Sequence, residues 1–132
     1  MEVIKKLFGV YNTKTPHDNN AWYYSNGKIV LEWSKVSEIQ KPCGSVSLEG
    51  RGLKERIFLL YGIDGQYYAY RNKYPPFGMR LEPIYNKAKI RCCGLFETTF
   101  DYSGNVMSGF GKESLKKYRV ETRKCKIIIW AY

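Results

Sequence analysis

Four cysteines and one histidine make up the softer metal-ligating inventory of this 132-residue chain. Cys43 and Cys125 stand alone, remote from the adjacent pair Cys92 and Cys93. No Cys-x-x-Cys pair occurs, so the spacing that converges thiolates on zinc or on an all-cysteine iron–sulfur cluster is missing. His17 falls in a polar stretch, residues 12–20, where a surface imidazole is the plainer expectation than a general base. No Ser or Cys carries a nucleophile signature, and no Gly-rich phosphate loop opens a helix. The inventory argues against an enzyme. Cys93 would be a reactive thiol if Arg91 lowered its pKa, and Cys92 with Cys93 could close a vicinal disulfide, but buried inert thiols are the simpler reading.

The stretch with most to offer is residues 72–101. It holds two turn-like loops rich in Pro, Gly, aromatics and Cys, each following a short β-prone run, 66–71 and 88–91. Loops held up by rigid strands are where sites are usually built.

The rest of the chain must supply those strands. Asn26-Gly27 between 21–25 and 28–33 is a strong hairpin signal, because both turn residues tolerate positive φ. Residues 35–39 could form one helical turn with Ser34 or Ser37 as cap, and Pro42-Cys43-Gly44 breaks the chain. Residues 45–49 alternate as a strand should. A second hairpin joins 56–62 to 66–71 across Ile63-Asp64-Gly65. Runs at 88–91 and 98–101 bracket the second loop, 106–107 follows a turn, and 108–111 reads as a loop. A last hairpin joins 115–121 to 126–130. Short strands with frequent turns predict an all-β antiparallel sandwich or barrel. At this length the chain is one domain with one substantial core.

The formal charge is +10, from 22 Lys and Arg against 12 Asp and Glu. Such an excess suits an acidic protein, a nucleic acid or an anionic surface, or serves solubility alone. No stretch approaches a membrane span, and residues 1–10 lack the apolar run of an export signal, so a cytoplasmic protein is expected.

From Trp33 onward the order of features resembles a Rieske ferredoxin domain. The opening Trp33-x-x-Val36, the hairpin 57–71 and Asn72 look like the strands leading to that family's first ligand loop. The family pattern is Cys-x-His-x-Gly, about sixteen residues, then Cys-x-x-His, with two Cys and two His holding a [2Fe–2S] cluster. Here Tyr74-Pro75-Pro76-Phe77-Gly78 falls on the first motif and Cys93-Gly94-Leu95-Phe96 on the second, with Leu81 and Phe100-Asp101 at the matching offsets. The 16 residues 77–92 between the motifs match the family spacing. Gly104, Ser108-Gly109 and 115–120 also follow its order. The resemblance covers residues 33–130, dividing the chain into an N-terminal extension with a hairpin, 1–32, and a Rieske-like body, 33–132, within one domain. It implies a small cluster-loop subdomain set into a larger β base.

The departures fall on the ligands. Tyr74 replaces the first Cys, Pro76 the first His and Phe96 the second His, so that Cys93 alone remains of the four ligand positions. Pro and Phe offer iron no donor atom, and the chain's one histidine lies outside the match. No metal and no cofactor are therefore expected; the alternative is a [2Fe–2S] cluster on atypical ligands. In the family the loops form a tip that docks on redox partners. The corresponding interaction tip would comprise Tyr74, Pro75, Phe77, Met79, Arg80, Leu95 and Phe96, although the apolar groups could equally fill the space a cluster left. Lys73, Arg80, Lys87, Lys89 and Arg91 surround it against Glu82, and further basic residues crowd the last hairpin.

Three functions follow as expectations. The first is a non-redox interaction domain binding an acidic protein partner through the tip. The second is a [2Fe–2S] electron-transfer ferredoxin, as an oxygenase or reductase component. The third is a basic, aromatic β domain holding single-stranded nucleic acid.

Overall fold

The computed structural model describes residues 13–75, 78–92 and 97–132. Eleven strands and two 3-10 turns account for its regular structure: β1 Trp22–Ser25, β2 Lys28–Glu32, the turns Trp33–Lys35 and Ser37–Ile39, β3 Ser45–Leu48, β4 Ile57–Tyr61, β5 Tyr67–Arg71, β6 Leu81–Pro83, β7 Lys89–Cys92, β8 Thr98–Asp101, β9 Val106–Gly109, β10 Lys117–Arg123 and β11 Lys126–Trp130. They form a seven-stranded sheet in the order β1-β2-β11-β10-β5-β4-β3 and a four-stranded sheet, β6-β7-β8-β9, with every pairing antiparallel. The all-β expectation holds. No helix among the described residues is long and apolar enough to cross a membrane.

The large sheet curls because β10 serves two partners. Lys117 and Tyr118 pair with β5, and Arg119–Arg123 pair with β11. Side chains from both ends of the sheet, Trp22 on β1 and Leu48 on β3, therefore meet in one core with Ile29, Leu31, Leu59 and Ile129. The N-terminal hairpin is part of this sheet: β2 pairs along its whole length with β11. Its turn is made by Asn26 and Gly27, both left-handed at φ 52° and 77°, the geometry whose twist matches the flanking strands. At the opposite edge, the Ser47 amide bonds to the Lys14 carbonyl at 2.9 Å, which covers part of the edge of β3.

β4 explains how the second sheet is held. Ile57 and Leu59 face the first core; Phe58 and Leu60 face a second, with Tyr70, Leu81, Ile90 and Phe100. A strand buried on both faces reads as a continuous apolar run and not as an alternation, and Ile57-Phe58-Leu59-Leu60 is such a run. Tyr70 sits in the second core and donates its hydroxyl to the Tyr102 carbonyl at 2.6 Å, joining the two sheets with a satisfied polar contact.

Three details differ from expectation. The helical turn is two 3-10 turns, and neither Ser34 nor Ser37 caps them: Glu32 and Val36 stand at the caps without a side-chain bond. β9 runs on through Ser108 and Gly109, past a register shift at Thr99 and Phe100. The last hairpin starts at Lys117, while Leu115 turns inward to the second core.

Two-sided burial of β4 has a measurable consequence. Phe58→Ala and Leu59→Ala, on opposite faces, should each lower unfolding free energy by about 2–5 kcal/mol in denaturant titrations. A value within about 0.5 kcal/mol for either would mean that its face is solvated.

Candidate functional site

The two loops of interest leave the small sheet at one end, and the first is anchored by Asn72. This residue ends the β5 hairpin and is 1% exposed. Its amide nitrogen donates to Ser47 Oγ at 2.9 Å, and its amide oxygen accepts from the Leu81 N–H at 2.7 Å. Its carbonyl accepts from Arg56 Nε and Nη2 at 3.1 and 2.9 Å, and Nη2 also reaches the Gly78 carbonyl at 3.1 Å. One buried side chain and one guanidinium thus fix both ends of the loop.

Within it, Tyr74 and Met79 form an isolated antiparallel bridge, N–H to O distances 2.8 and 2.9 Å. The bridge turns the Tyr74 ring into the second core, where it is 4% exposed and meets Phe100 edge-on at 4.9 Å. Its hydroxyl donates to the Glu113 carbonyl at 2.8 Å, and burial pushes the phenol pKa up. Space for the ring depends on Gly111: a Cβ there would lie 2.2 Å from the Tyr74 oxygen and 2.6 Å from a ring carbon. The Gly111 N–H in turn donates to Thr98 Oγ1 at 2.8 Å. Gly-Phe-Gly at 109–111 is therefore a passage between Thr98 and Tyr74.

The expected tip is accordingly corrected at several points. Tyr74 is a core residue and cannot contact a partner. Met79 is partly packed on the same core. Arg80 pairs with Glu49 of the β3 end at 2.5 Å; this bond holds the Glu49 carboxyl below its usual range, and Ser47 Oγ supports it at 2.8 Å. Pro75 and the neighbouring Lys73 are exposed. Pro76, Phe77, Cys93, Leu95 and Phe96 lie outside the described residues.

The electrostatic count also changes. Arg91 donates from Nε to the buried Glu82 at 2.6 Å and approaches Glu97 at 3.8 Å. Arg80 and Arg91 are engaged by acids, and Lys87 and Lys89 belong to the β6–β7 turn at the opposite end of the small sheet from the loops, so of the expected cations only Lys73 stands exposed beside the first loop. Sequence reasoning had also missed β6, because three residues containing a charge and a proline give no alternation. Only the register Glu82↔Arg91 shows why Glu82 is buried there.

Cys92 is 2% exposed, and burial raises its pKa; Cys43 and Cys125 are unbridged, half-buried and exposed respectively. Among the described residues, no three of His, Cys, Asp or Glu are grouped to hold a metal ion. His17 belongs elsewhere, its backbone N–H bonded to Glu38 at 2.7 Å. A Rieske cluster needs two thiolates and two imidazoles. The resemblance sets Tyr74, a buried phenol already bonded to a carbonyl, against the first of these thiolates, and Pro76 and Phe96, which carry no donor, against the imidazoles.

No family model matches the chain, and neither does any curated protein. Solved structures do. An oxygenase–ferredoxin complex of carbazole 1,9a-dioxygenase superposes with a TM-score of 0.63 at 21% identity, covering 83% of this chain and 29% of that one. The quaternary ammonium Rieske monooxygenase CntA with L-carnitine gives 0.55 at 24% identity, covering 70% and 29%. Its apo form gives 0.55 at 22%, covering 97% and 35%. The chain thus spans about a third or less of the length of these neighbours. At such identities the likeness speaks for the fold, and the fold is Rieske-like.

Two measurements check this site. Gly111→Ala should destabilise the protein, and far less so in a Tyr74→Ala background; additive costs would show that the two positions do not share space. Because the folded-state pKa of Glu49 is depressed, the stability carried by its pair with Arg80 is complete above the ordinary carboxylate pKa of 4.5 and is lost as pH falls through the depressed value. Glu49→Gln should therefore flatten the acid limb of a stability–pH profile, and an unchanged limb would place that dependence elsewhere.

Proposed function

We propose that this chain is a Rieske-like docking module, which works without an iron–sulfur cluster and meets an acidic protein partner through the end where its two loops leave the small sheet. One observation carries the reading: Tyr74, at the position of the family's first cysteine, is packed against Phe100 and bonded to the Glu113 carbonyl. A side chain so placed serves a core and leaves no thiolate at that position. The substitutions Pro76 and Phe96 point the same way, since neither offers iron a donor atom. Lys73 supplies positive charge beside the first loop, and exposed Pro75 the nearest apolar contact. Nothing in this arrangement calls for a catalytic group.

The second reading is electron transfer through a [2Fe–2S] cluster on unorthodox ligands. It is favoured by the likeness to Rieske oxygenase structures, one of them solved as a complex with a ferredoxin.

Iron analysis and visible spectroscopy separate the two. The purified protein should be colourless and hold no stoichiometric iron; stoichiometric iron with an EPR signal after reduction would establish the second reading and remove the first. The docking surface is tested by affinity capture with the wild type beside Lys73→Glu/Phe77→Ala. Tyr74 is unsuitable for this because its loss would empty the core. A partner retained equally by both proteins would exclude this end as the interface.

A further inference from the structure

At the end of the large sheet where β4 and β10 start and β5 and β11 finish, a cavity of about 510 Å³ opens over the first core. Leu53 and Ala131 form its apolar wall, with Ile57 and Tyr118 buried beneath. Register turns two cations into it. Arg71 pairs with Ile57 on one side, and on the other its N–H donates to the Lys116 carbonyl at 2.9 Å. Ala69, two residues before Arg71, and Tyr118, two residues after Lys116, both face the first core. Strand alternation therefore sets Arg71 and Lys116 on that same face, and the Lys116 ammonium lies 5.3 Å from the centre of the Tyr118 ring.

Arg71 differs from the other partly buried arginines. Arg56, Arg80 and Arg91 all donate to carbonyls or carboxylates. Arg71 makes no side-chain hydrogen bond among the described residues: Nε is buried without an acceptor, and Nη1 stays 3.8 Å from Glu55 Oε1, beyond hydrogen-bond length. Buried donors without acceptors are rare, because each gives up its hydration for nothing. The neighbouring ammonium adds to the imbalance, since like charges set opposite on adjacent strands repel. Burial raises the Tyr118 phenol pKa, Glu55 adds to the rise and Arg71 opposes it, so both charges act at its hydroxyl. It remains a protonated donor at neutral pH.

A guanidinium, an ammonium and a phenol beside an apolar wall, in a cavity of ordinary ligand size, complement an anion with a hydrocarbon body. A planar carboxylate matches the guanidinium fork and would convert the repulsion between Arg71 and Lys116 into two attractions. Glu55, already close to Arg71, disfavours the second charge of a phosphate. An uncharged apolar molecule would leave Arg71 as unmatched as before, and a small inorganic anion would leave Leu53 and Ala131 uncovered.

We infer that this cavity binds a small organic monocarboxylate, with its carboxylate on Arg71 and Lys116 and its apolar body against Leu53 and Ala131. The inference is independent of the proposed docking function, because neither Lys73 nor Pro75 lines this cavity.

Isothermal titration calorimetry of the purified full chain tests it, at neutral pH and low salt. Octanoate and phenylpropionate are the probes, beside acetate, octanamide and inorganic phosphate. Saturable binding of octanoate or phenylpropionate is expected, with acetate, octanamide and phosphate each binding worse. Affinity should fall about tenfold or more in Arg71→Gln and in Lys116→Ala, the loss expected for a hydrogen bond to a charged group. It should rise in Glu55→Gln, which removes the competing carboxylate. Lys116 is exposed, so its variant keeps the test open should Arg71→Gln fail to fold. Absence of saturable binding of both probes at millimolar concentration overturns the inference. So does octanamide binding as tightly as octanoate, which would make the site purely apolar, or phosphate doing so, which would make it a general anion site. Octanoate or phenylpropionate binding that Lys116→Ala leaves unchanged, or that Glu55→Gln fails to strengthen, overturns it as well.

Discussion

Two-sided burial of the β4–β5 hairpin is the constraint on which both sheets depend. Ile57, Leu59 and Ala69 face the first core, and Phe58, Leu60 and Tyr70 the second. Burying an aliphatic or aromatic side chain of this size contributes about 1.5–3 kcal/mol, so this one hairpin stabilises two packing layers together. Asn72 extends the constraint to the loop beyond it. With its amide shared between Ser47 and Leu81, and its carbonyl held by Arg56, the chain leaves β5 in a fixed direction. A buried network whose members are all satisfied specifies one geometry. The first loop therefore keeps its course regardless of what its own side chains do.

That separation of scaffold from side chain makes sense of Tyr74. A loop whose path is set at its base can turn a large ring inward, provided the volume is found elsewhere. Gly111 provides it, 37 positions along the chain, and the Glu113 carbonyl accepts the hydroxyl that would otherwise be buried alone. An unpartnered phenol would cost about 1–3 kcal/mol there. The tyrosine, the glycine and the carbonyl form one mutually dependent unit, which favours a core-filling role for this residue over a vestigial surface one.

The strands were legible because local patterning sets them. The Asn26-Gly27 turn and the apolar run 57–60 each carry their structural reason within a few residues. β6 was not legible, since what makes Leu81–Pro83 a strand is its pairing with β7 and the burial of Glu82 by Arg91. The resemblance sets Tyr74 and Cys93 against the family's ligand positions by spacing. The inward turn of Tyr74 could not be read that way, because its partners lie on β8 and beyond β9. Arg80 misled for the same reason: Glu49, 31 positions upstream, neutralises a charge that looked available to a partner.

Charge shows most clearly where sequence counting stops. A net +10 says that cations exceed acids, and it does not say where an anion could dwell. The fold spends much of the excess internally: Arg51 covers the Trp22 ring at 4.4 Å and binds the Trp22 and Asn19 carbonyls, Arg56 holds the Asn72 loop, and Arg119 lies on Trp130. Arginine suits these tasks because its planar fork bonds several acceptors and stacks on rings. Lys126 stands opposite Glu32 in the β11–β2 register, and Lys35 approaches the same carboxylate at 3.6 Å. Sequence gives as little sign of the group formed by Trp33, Tyr61 and Tyr67, a tryptophan after a hairpin and two tyrosines on adjacent strands. The curl of the large sheet gathers them, and pairing across strands likewise decides which charges are matched, which a count along the chain does not reveal.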